Sequence, residues 1–383
     1  MNFNSVEFLI FLPVVVALYW VLPFRFRWVL LLAASLFFYM SWNVWLIVLI
    51  GITTITAYVA AIFISRAHSK GAKRAWLVIT LVVCLESAVG VIRLFDPSQE
   101  SIVLNIILPV GISFYTFQTL SYVIDVYRGD YPAERHFGYF ALYVTYFPQL
   151  VAGPIEKPGT LLPQLRTPQK FCEDDLFEGA KYLLSGFFRK CVVSDFCGIF
   201  VDSVYADLAS ANALAVFAAS ALFLIQIYND FAGYSEIALG SARLMGVKLS
   251  KNFDRPLTSA SFTEFFRRWH ITLNQWFTQY VYIPLGGSRK GIWRQLLNTM
   301  IVFALCGLWH GANWTFVLWG LAAGFFVCVE KLLNKPLARL CERWGMDPDA
   351  GGLRLLRQIA VFLLFVLCCV LFRAQSVQQI GLA

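Results

Sequence analysis

Apolar runs long enough to cross a lipid bilayer recur along this chain from Phe8 to Phe372, and they leave few folds open. Within a bilayer the chain must pair every backbone N–H and C=O itself, so only helices or closed barrels can span it. These runs lack the two-residue alternation of barrel strands. The expectation is therefore an all-α, polytopic helical membrane protein. Composition agrees: 59% of the 383 residues are hydrophobic and 14% charged, more apolar than the burial of a soluble core requires.

The first span is read at Phe8–Leu22. Trp28–Ile64 is long enough for two helices that turn at Ser41-Trp42-Asn43. Further spans are expected at Trp76–Leu94, Ile102–Val123, Phe137–Val151, Lys181–Val204 (partly interfacial), Ala211–Tyr228, Leu296–Leu308, Trp314–Leu333 and Leu355–Phe372. At bilayer-spanning length this amounts to roughly ten to eleven transmembrane helices in one membrane-embedded domain over residues 1–383. Two stretches break the pattern. Gly153–Glu178 carries four prolines and the acidic run Glu173-Asp174-Asp175, which suits a loop or a re-entrant piece packed on protein. Phe262–Ile283 repeats its apolar residues at three- and four-residue spacings with Arg267, Arg268, His270, Asn274 and Gln275 between them. That pattern predicts an amphipathic helix lying in the membrane plane or obliquely buried.

The net charge of +8 comes from basic residues in short connections, as the positive-inside bias demands, and needs no nucleic-acid partner. Arg66–Arg74 holds four Lys or Arg and no acid, so this loop is expected in the cytoplasm and the N-terminus outside. MNFNSVEF contains no Lys or Arg, and no cleavage-like site follows, so the first run reads as a retained helix rather than a signal peptide. Nine cysteines, mostly in apolar stretches and without metal-like CxxC pairs, read as small core residues; no metal site is expected.

Four histidines are present. His68 and His136 sit in basic, loop-like contexts and read as surface residues. His270 and His310 are embedded among aromatics. Either could merely hydrogen-bond a neighbouring helix and hold packing. A buried imidazole is also a base able to take a proton from a hydroxyl near neutral pH, and imidazoles within membrane segments tend to mark pathways or reactions. His310 lies in LCGLWHGANWTFVLWG, Leu305–Gly320, an apolar run with three tryptophans and with glycines that allow close approach. Asparagines follow both histidines, His270/Asn274 and His310/Asn313. No GxSxG motif or Cys–His pair at recognisable spacing is seen, so no covalent serine or cysteine intermediate is suggested. YNDFAGYSEIALG, Tyr228–Gly240, places acids and small residues where a helix should be apolar. It reads either as a polar packing network or as the lining of a substrate path.

The motifs RRWHITLNQW (Arg267–Trp276), YIPLGG and WHGANWTFVLWG resemble the membrane-bound O-acyltransferase family, and its bacterial alginate O-acetyltransferase branch in particular. PVGISFYTFQTLSYVIDVYRG (Pro109–Gly129), YFPQLVAGPI (Tyr146–Ile155) and DFAGYSEIALG (Asp230–Gly240) extend the resemblance in order along the chain. It implies a multi-pass enzyme of the bacterial cytoplasmic membrane in which a central tunnel brings an acyl donor to a buried histidine. His310 then occupies the position of the catalytic histidine and His270 that of a second active-site residue. Asn274, Asn313, Trp309, Asp230, Glu236 and Tyr234 are tunnel or substrate candidates, and Arg267 and Arg268 candidates for binding an anionic donor. The resemblance further implies no bound cofactor, acetyl-CoA or an acyl-carrier thioester as donor, an extracytoplasmic polysaccharide as acceptor, and a periplasmic acetyltransferase partner protein. Members of the family usually continue for another span or two, so a truncated chain or a shorter relative is expected. Transfer of D-alanine from a carrier protein to teichoic acid is the alternative within the family. A glycan or lipid transporter with proton-relaying histidines is the alternative outside it, disfavoured by the lack of an inverted repeat.

Overall fold

The computed structural model describes residues 1–95, 112–151, 153–311, 313–345, 347 and 350–382. The start of the expected Ile102–Val123 span lies outside the described residues. The described residues are helical and connecting segments without strands, and they form two compact units. The first comprises residues 1–187 and 233–250, the second 188–232 and 251–383.

The first unit contains α1 (Val6–Val21), α2 (Phe24–Met40), α3 (Leu46–Arg66), α4 (Lys70–Phe95), α5 (Ile112–Arg128), α6 (Phe137–Thr145), α7 (Phe147–Leu150), α8 (Pro158–Arg166) and α9 (Glu173–Phe187). Ser5 caps α1 by accepting the Phe8 N–H, and Glu7 in the first turn complements the helix dipole. The expected turn at Ser41-Trp42-Asn43 separates α2 from α3. Phe137–Val151, expected as one span, is instead two short helices broken at Tyr146. Pro148 lacks the N–H that would continue α6, and its ring excludes a helical carbonyl four residues back. The Gly153–Glu178 stretch is more ordered than a loop: Pro158 opens α8, and the acidic run Glu173-Asp174-Asp175 forms the first turn of α9. Phe8, Phe38, Tyr39, Phe140, Tyr143 and Phe147 make the centre of this core, each at most 1% exposed.

The second unit begins with a π-helical segment, Phe188–Ser194, that interrupts the helical pattern after α9. It continues with α10 (Asp195–Ala206) and α11 (Ala213–Arg243). The polar Tyr228–Gly240 stretch stays helical within α11, whose residues up to Ala232 belong to the second unit and whose residues from Gly233 belong to the first. Then follow α12 (Phe262–Arg268), α13 (Ile271–Phe277), α14 (Ile292–His310), α15 (Trp314–Arg343), α16 (Gly351–Arg373) and α17 (Val377–Leu382). The predicted amphipathic helix over Phe262–Ile283 is thus broken into α12, α13 and a π-helical turn at Thr278–Tyr282. Two caps fix where α12 starts. Ser261 accepts the Glu264 N–H, and the Glu330 carboxylate of α15 accepts the N–H groups of Phe262 and Thr263.

Among the described residues α3, α11, α14, α15 and α16 are long and apolar enough to cross a membrane, and α1 is a shorter apolar helix. Exposed Leu355, Leu356, Ile359, Leu363 and Leu367 along α16, and Val6, Leu9, Ile10 and Val14 on α1, are the surface expected of helices facing lipid.

Candidate active site

Two residues that sequence pairs only by chemistry are brought together by packing in the second unit. His270 and His310 both line one pocket, with Phe266, Trp269, Leu273, Asn274, Phe277, Val302, Phe303, Cys306 and Trp319. The space between them is about 20 Å³, room for a water-sized group.

His310 ends α14. Its ring is held edge-on by Trp319 of α15 and Phe372 of α16, both with ring centres 5.1 Å away. The α14–α15 hairpin can place those rings because its backbones almost touch. A Cβ on Gly307 would lie 2.3 Å from the Phe316 carbonyl oxygen, and one on Gly320 would lie 2.3 Å from that of Phe303. Asn313 caps α15 by accepting the Thr315 N–H at 3.1 Å, and its amide donates to the Gln375 carbonyl at 2.9 Å. Its amide is thereby committed to backbone at the turn after His310, and it does not line the pocket.

His270 arrives by a different route. It sits between α12 and α13 in the left-handed region, φ 44° and ψ 55°, a conformation that costs an L-residue roughly 1–2 kcal/mol. Two backbone bonds to the segment before α12 bracket the break, Asp254 N–H to Arg268 O and Ile271 N–H to Asn252 O, each 2.9 Å. Only 2% of His270 is exposed. Its ring meets the face-on or edge-on rings of Phe231, 4.6 Å away at 85°, and Trp309, 6.0 Å away at 63°. Trp309 thus touches both histidines, its ring 4.7 Å from His310, without lining the pocket itself.

The remaining expected site residues separate. Asn274 lines the pocket. Arg268 pairs with Glu264 at 2.7 Å and donates to Thr258, and Arg267 is exposed; neither lines the pocket. Asp230 is ion-paired to Lys190, which also reaches Asp195 at 3.3 Å. Tyr234 and Glu236 belong to the first unit, where the Tyr234 ring packs on Phe3. Sequence reasoning did not single out the other eight lining residues, Phe266, Trp269, Leu273, Phe277, Val302, Phe303, Cys306 and Trp319. Helical spacing was the available signal for Val302, Phe303 and Cys306, since Cys306 precedes His310 by one turn and Phe303 and Val302 by about two.

An all-helical membrane fold holding one buried and one half-buried histidine on an aromatic pocket defines a multi-pass membrane protein with the makings of an acid–base site. The comparisons make the class specific. Residues 134–341 match the membrane-bound O-acyltransferase family, and the chain belongs to that family. It is 35% identical to the protein named "Probable alginate O-acetylase AlgI" of Pseudomonas fluorescens, across 100% of this chain and 74% of that one. It is 32% identical to the peptidoglycan O-acetyltransferase of Helicobacter pylori, across 79% of this chain and 64% of the relative. A teichoic acid D-alanyltransferase of Streptococcus thermophilus is 28% identical over 64% of this chain and 61% of its own. The protein is a membrane O-acyltransferase.

Proposed function

We propose that the protein moves an acetyl group from a cytoplasmic thioester, acetyl-CoA, toward hydroxyls of an extracytoplasmic cell-surface polysaccharide, with His310 as general base. The observation that carries this reading is the convergence of His310 and His270 on one small, aromatic-walled pocket. His310 takes the proton of the acceptor hydroxyl as its oxygen attacks the thioester carbonyl. His270 stabilises the charge developing on that carbonyl oxygen, and the departing thiolate recovers a proton.

Charge supports the direction of supply. α14 and α15 run antiparallel, with Lys331 on Thr299 near one end and Gly307 on Phe316 near the other. The end with the start of α14, the last turns of α15 and the start of α16 carries Arg289, Lys290, Arg294, Lys335, Arg339 and Arg354. Those cations fit a cytoplasmic face that attracts an anionic donor, and His310 lies at the opposite end of α14. On this reading the protein resides in the bacterial inner membrane and hands its acetyl group outward to the glycan or to a periplasmic acetyltransferase partner.

The test is the base-labile acetyl ester content of the surface glycan in cells with the intact protein, without it, and with His310→Ala at equal membrane abundance. Loss of ester in both the deletion and the variant is expected. Esters that survive His310→Ala would make this histidine a packing residue. If purified protein ignores acetyl-CoA but uses a charged carrier protein, the donor assignment falls and D-alanyl transfer, the activity named for the streptococcal relative, takes its place.

A further inference from the structure

We infer that Asn274 is a positioning residue that holds His270 in its left-handed conformation and so sets the imidazole against the pocket. This rests on the acyltransferase reading of that pocket. The role follows from where one carboxamide group is spent. Asn274 Nδ2 donates its two hydrogens to the carbonyls of Trp269 at 2.6 Å and Phe266 at 2.7 Å, and the His270 carbonyl, 3.2 Å away, shares one of them. The Phe266 and Trp269 carbonyls lie at the C-terminal end of α12, where helical partners run out, and the third belongs to the strained residue itself.

The register explains why this residue can do it. Asn274 lies four residues after His270 in α13, and helical side chains lean back toward the N-terminus, so its amide points at the break. Its own N–H also donates to the His270 carbonyl at 3.1 Å. Only a short side chain ending in an NH2 group serves several carbonyls from this position. A serine offers one hydrogen, and an ionised aspartate offers none and repels the carbonyl oxygens. A left-handed, non-glycine residue persists only where its surroundings over-determine it, and Asn274 is the side chain that ties both sides of the break together.

Asn274 also lines the pocket, so the competing role is direct contact with substrate. Kinetics on the full-length protein in membranes separate the two. Asn274→Ala is expected to lower kcat roughly 10- to 100-fold with KM for donor and acceptor unchanged, because a displaced catalytic group slows chemistry without weakening binding. Asn274→Asp is expected to be as slow at neutral pH. Its activity relative to the native protein should recover as pH falls, since a protonated carboxyl regains one donor, whereas the alanine variant stays low throughout. A rise in KM at unchanged kcat, or kcat within about twofold of native in both variants, would overturn the proposal.

A second readout is independent of turnover. Carbethoxylation by diethylpyrocarbonate, read by mass spectrometry at each histidine, is expected to accelerate at His270 and not at His310 in Asn274→Ala. Equal rates in native and variant protein would count against the positioning role even if the native protein proved inactive with thioesters. If Asn274→Asp does not accumulate, Asn274→Ser, with its single donor, takes its place, and intermediate kcat is then the expected result.

Discussion

The two compact units bury polar groups to opposite ends. In the first, several buried polar side chains are spent mainly on holding backbone. Gln118 and Gln149 both donate to the Tyr143 carbonyl, Ser35 accepts the Phe147 N–H, and Glu134 accepts from His136 N–H and Arg166. Such bonds fix irregular chain, here the joints around α6, α7 and α8, and satisfying them is what makes their burial tolerable. In the second unit two imidazoles open on a pocket whose walls are mostly aromatic and aliphatic, and hydrogen-bonding asparagines secure the turns beside them. One unit uses buried polarity to hold shape. The other uses it to keep reactive groups in place with space between them.

If that contrast is right, substitutions in the second unit's pocket should remove activity without removing protein. The largest effect is expected at His310. His310→Ala should slow acyl transfer about 10²- to 10⁴-fold with an unchanged thermal midpoint in detergent. His270→Ala should cost about 10²-fold on the same criterion. If both variants instead disappear from the membrane fraction, the histidines are packing residues and the contrast collapses.

The α14–α15 contact offers a case where stability and activity should fall together. Gly320→Leu puts carbon where the Phe303 carbonyl already stands, forcing the helices apart and moving Trp319 off His310. Overpacking of this kind costs about 1–3 kcal/mol or more, so lower abundance, a lower midpoint and lost turnover should appear in the same preparation. Gly320→Leu with native activity would mean that the hairpin does not position His310.

Cys306 gives a smaller and purely local effect. It lines the pocket one turn before His310, so modification by a methanethiosulfonate reagent should fill the space and slow turnover roughly tenfold. Acyl donor should protect against it, and Cys306→Ala should resist it while retaining most activity. Inhibition that persists in Cys306→Ala would point to another of the nine cysteines.

How much of this was legible in the sequence follows the physics of each signal. Helices long enough to span and rich in apolar residues announce themselves: α1, α2, α3, α14 and α16 follow the expected runs closely, and α15 starts where expected but runs ten residues past Leu333 to Arg343. An imidazole in an apolar run is costly enough to stand out, which is why His310 and His270 were visible. The break at His270 was not. Apolar spacing continues through Phe266, Trp269, Leu273 and Trp276 as if the helix were whole, and one left-handed residue leaves no mark on periodicity. Nor could sequence tell that the Asn313 amide is taken by Gln375, sixty-two residues away, or that Asp230 and Tyr234, on one helix, belong to different units. Those are facts of packing between distant segments.

The smallest expected effect tests the first unit directly. Glu156 is 1% exposed and accepts the Ser250 N–H. Burial raises its carboxyl above the ordinary range, and the bond from Ser250 only partly opposes that shift. The sign follows from linkage. A carboxyl whose folded pKa is raised binds its proton more tightly in the folded state, so its contribution to stability is greatest below the unfolded value of about 4.3 and is lost as pH rises through the folded value. Glu156→Gln keeps an oxygen for Ser250 and removes the charge. It should therefore raise the thermal midpoint by roughly 2–4 °C at neutral pH, an advantage that vanishes in acid, while acyl transfer stays within about twofold. A lower midpoint at neutral pH would show that the Ser250 bond outweighs burial. A tenfold loss of transfer would break the contrast itself, because it would place chemistry in the unit that otherwise uses its buried polar groups for shape.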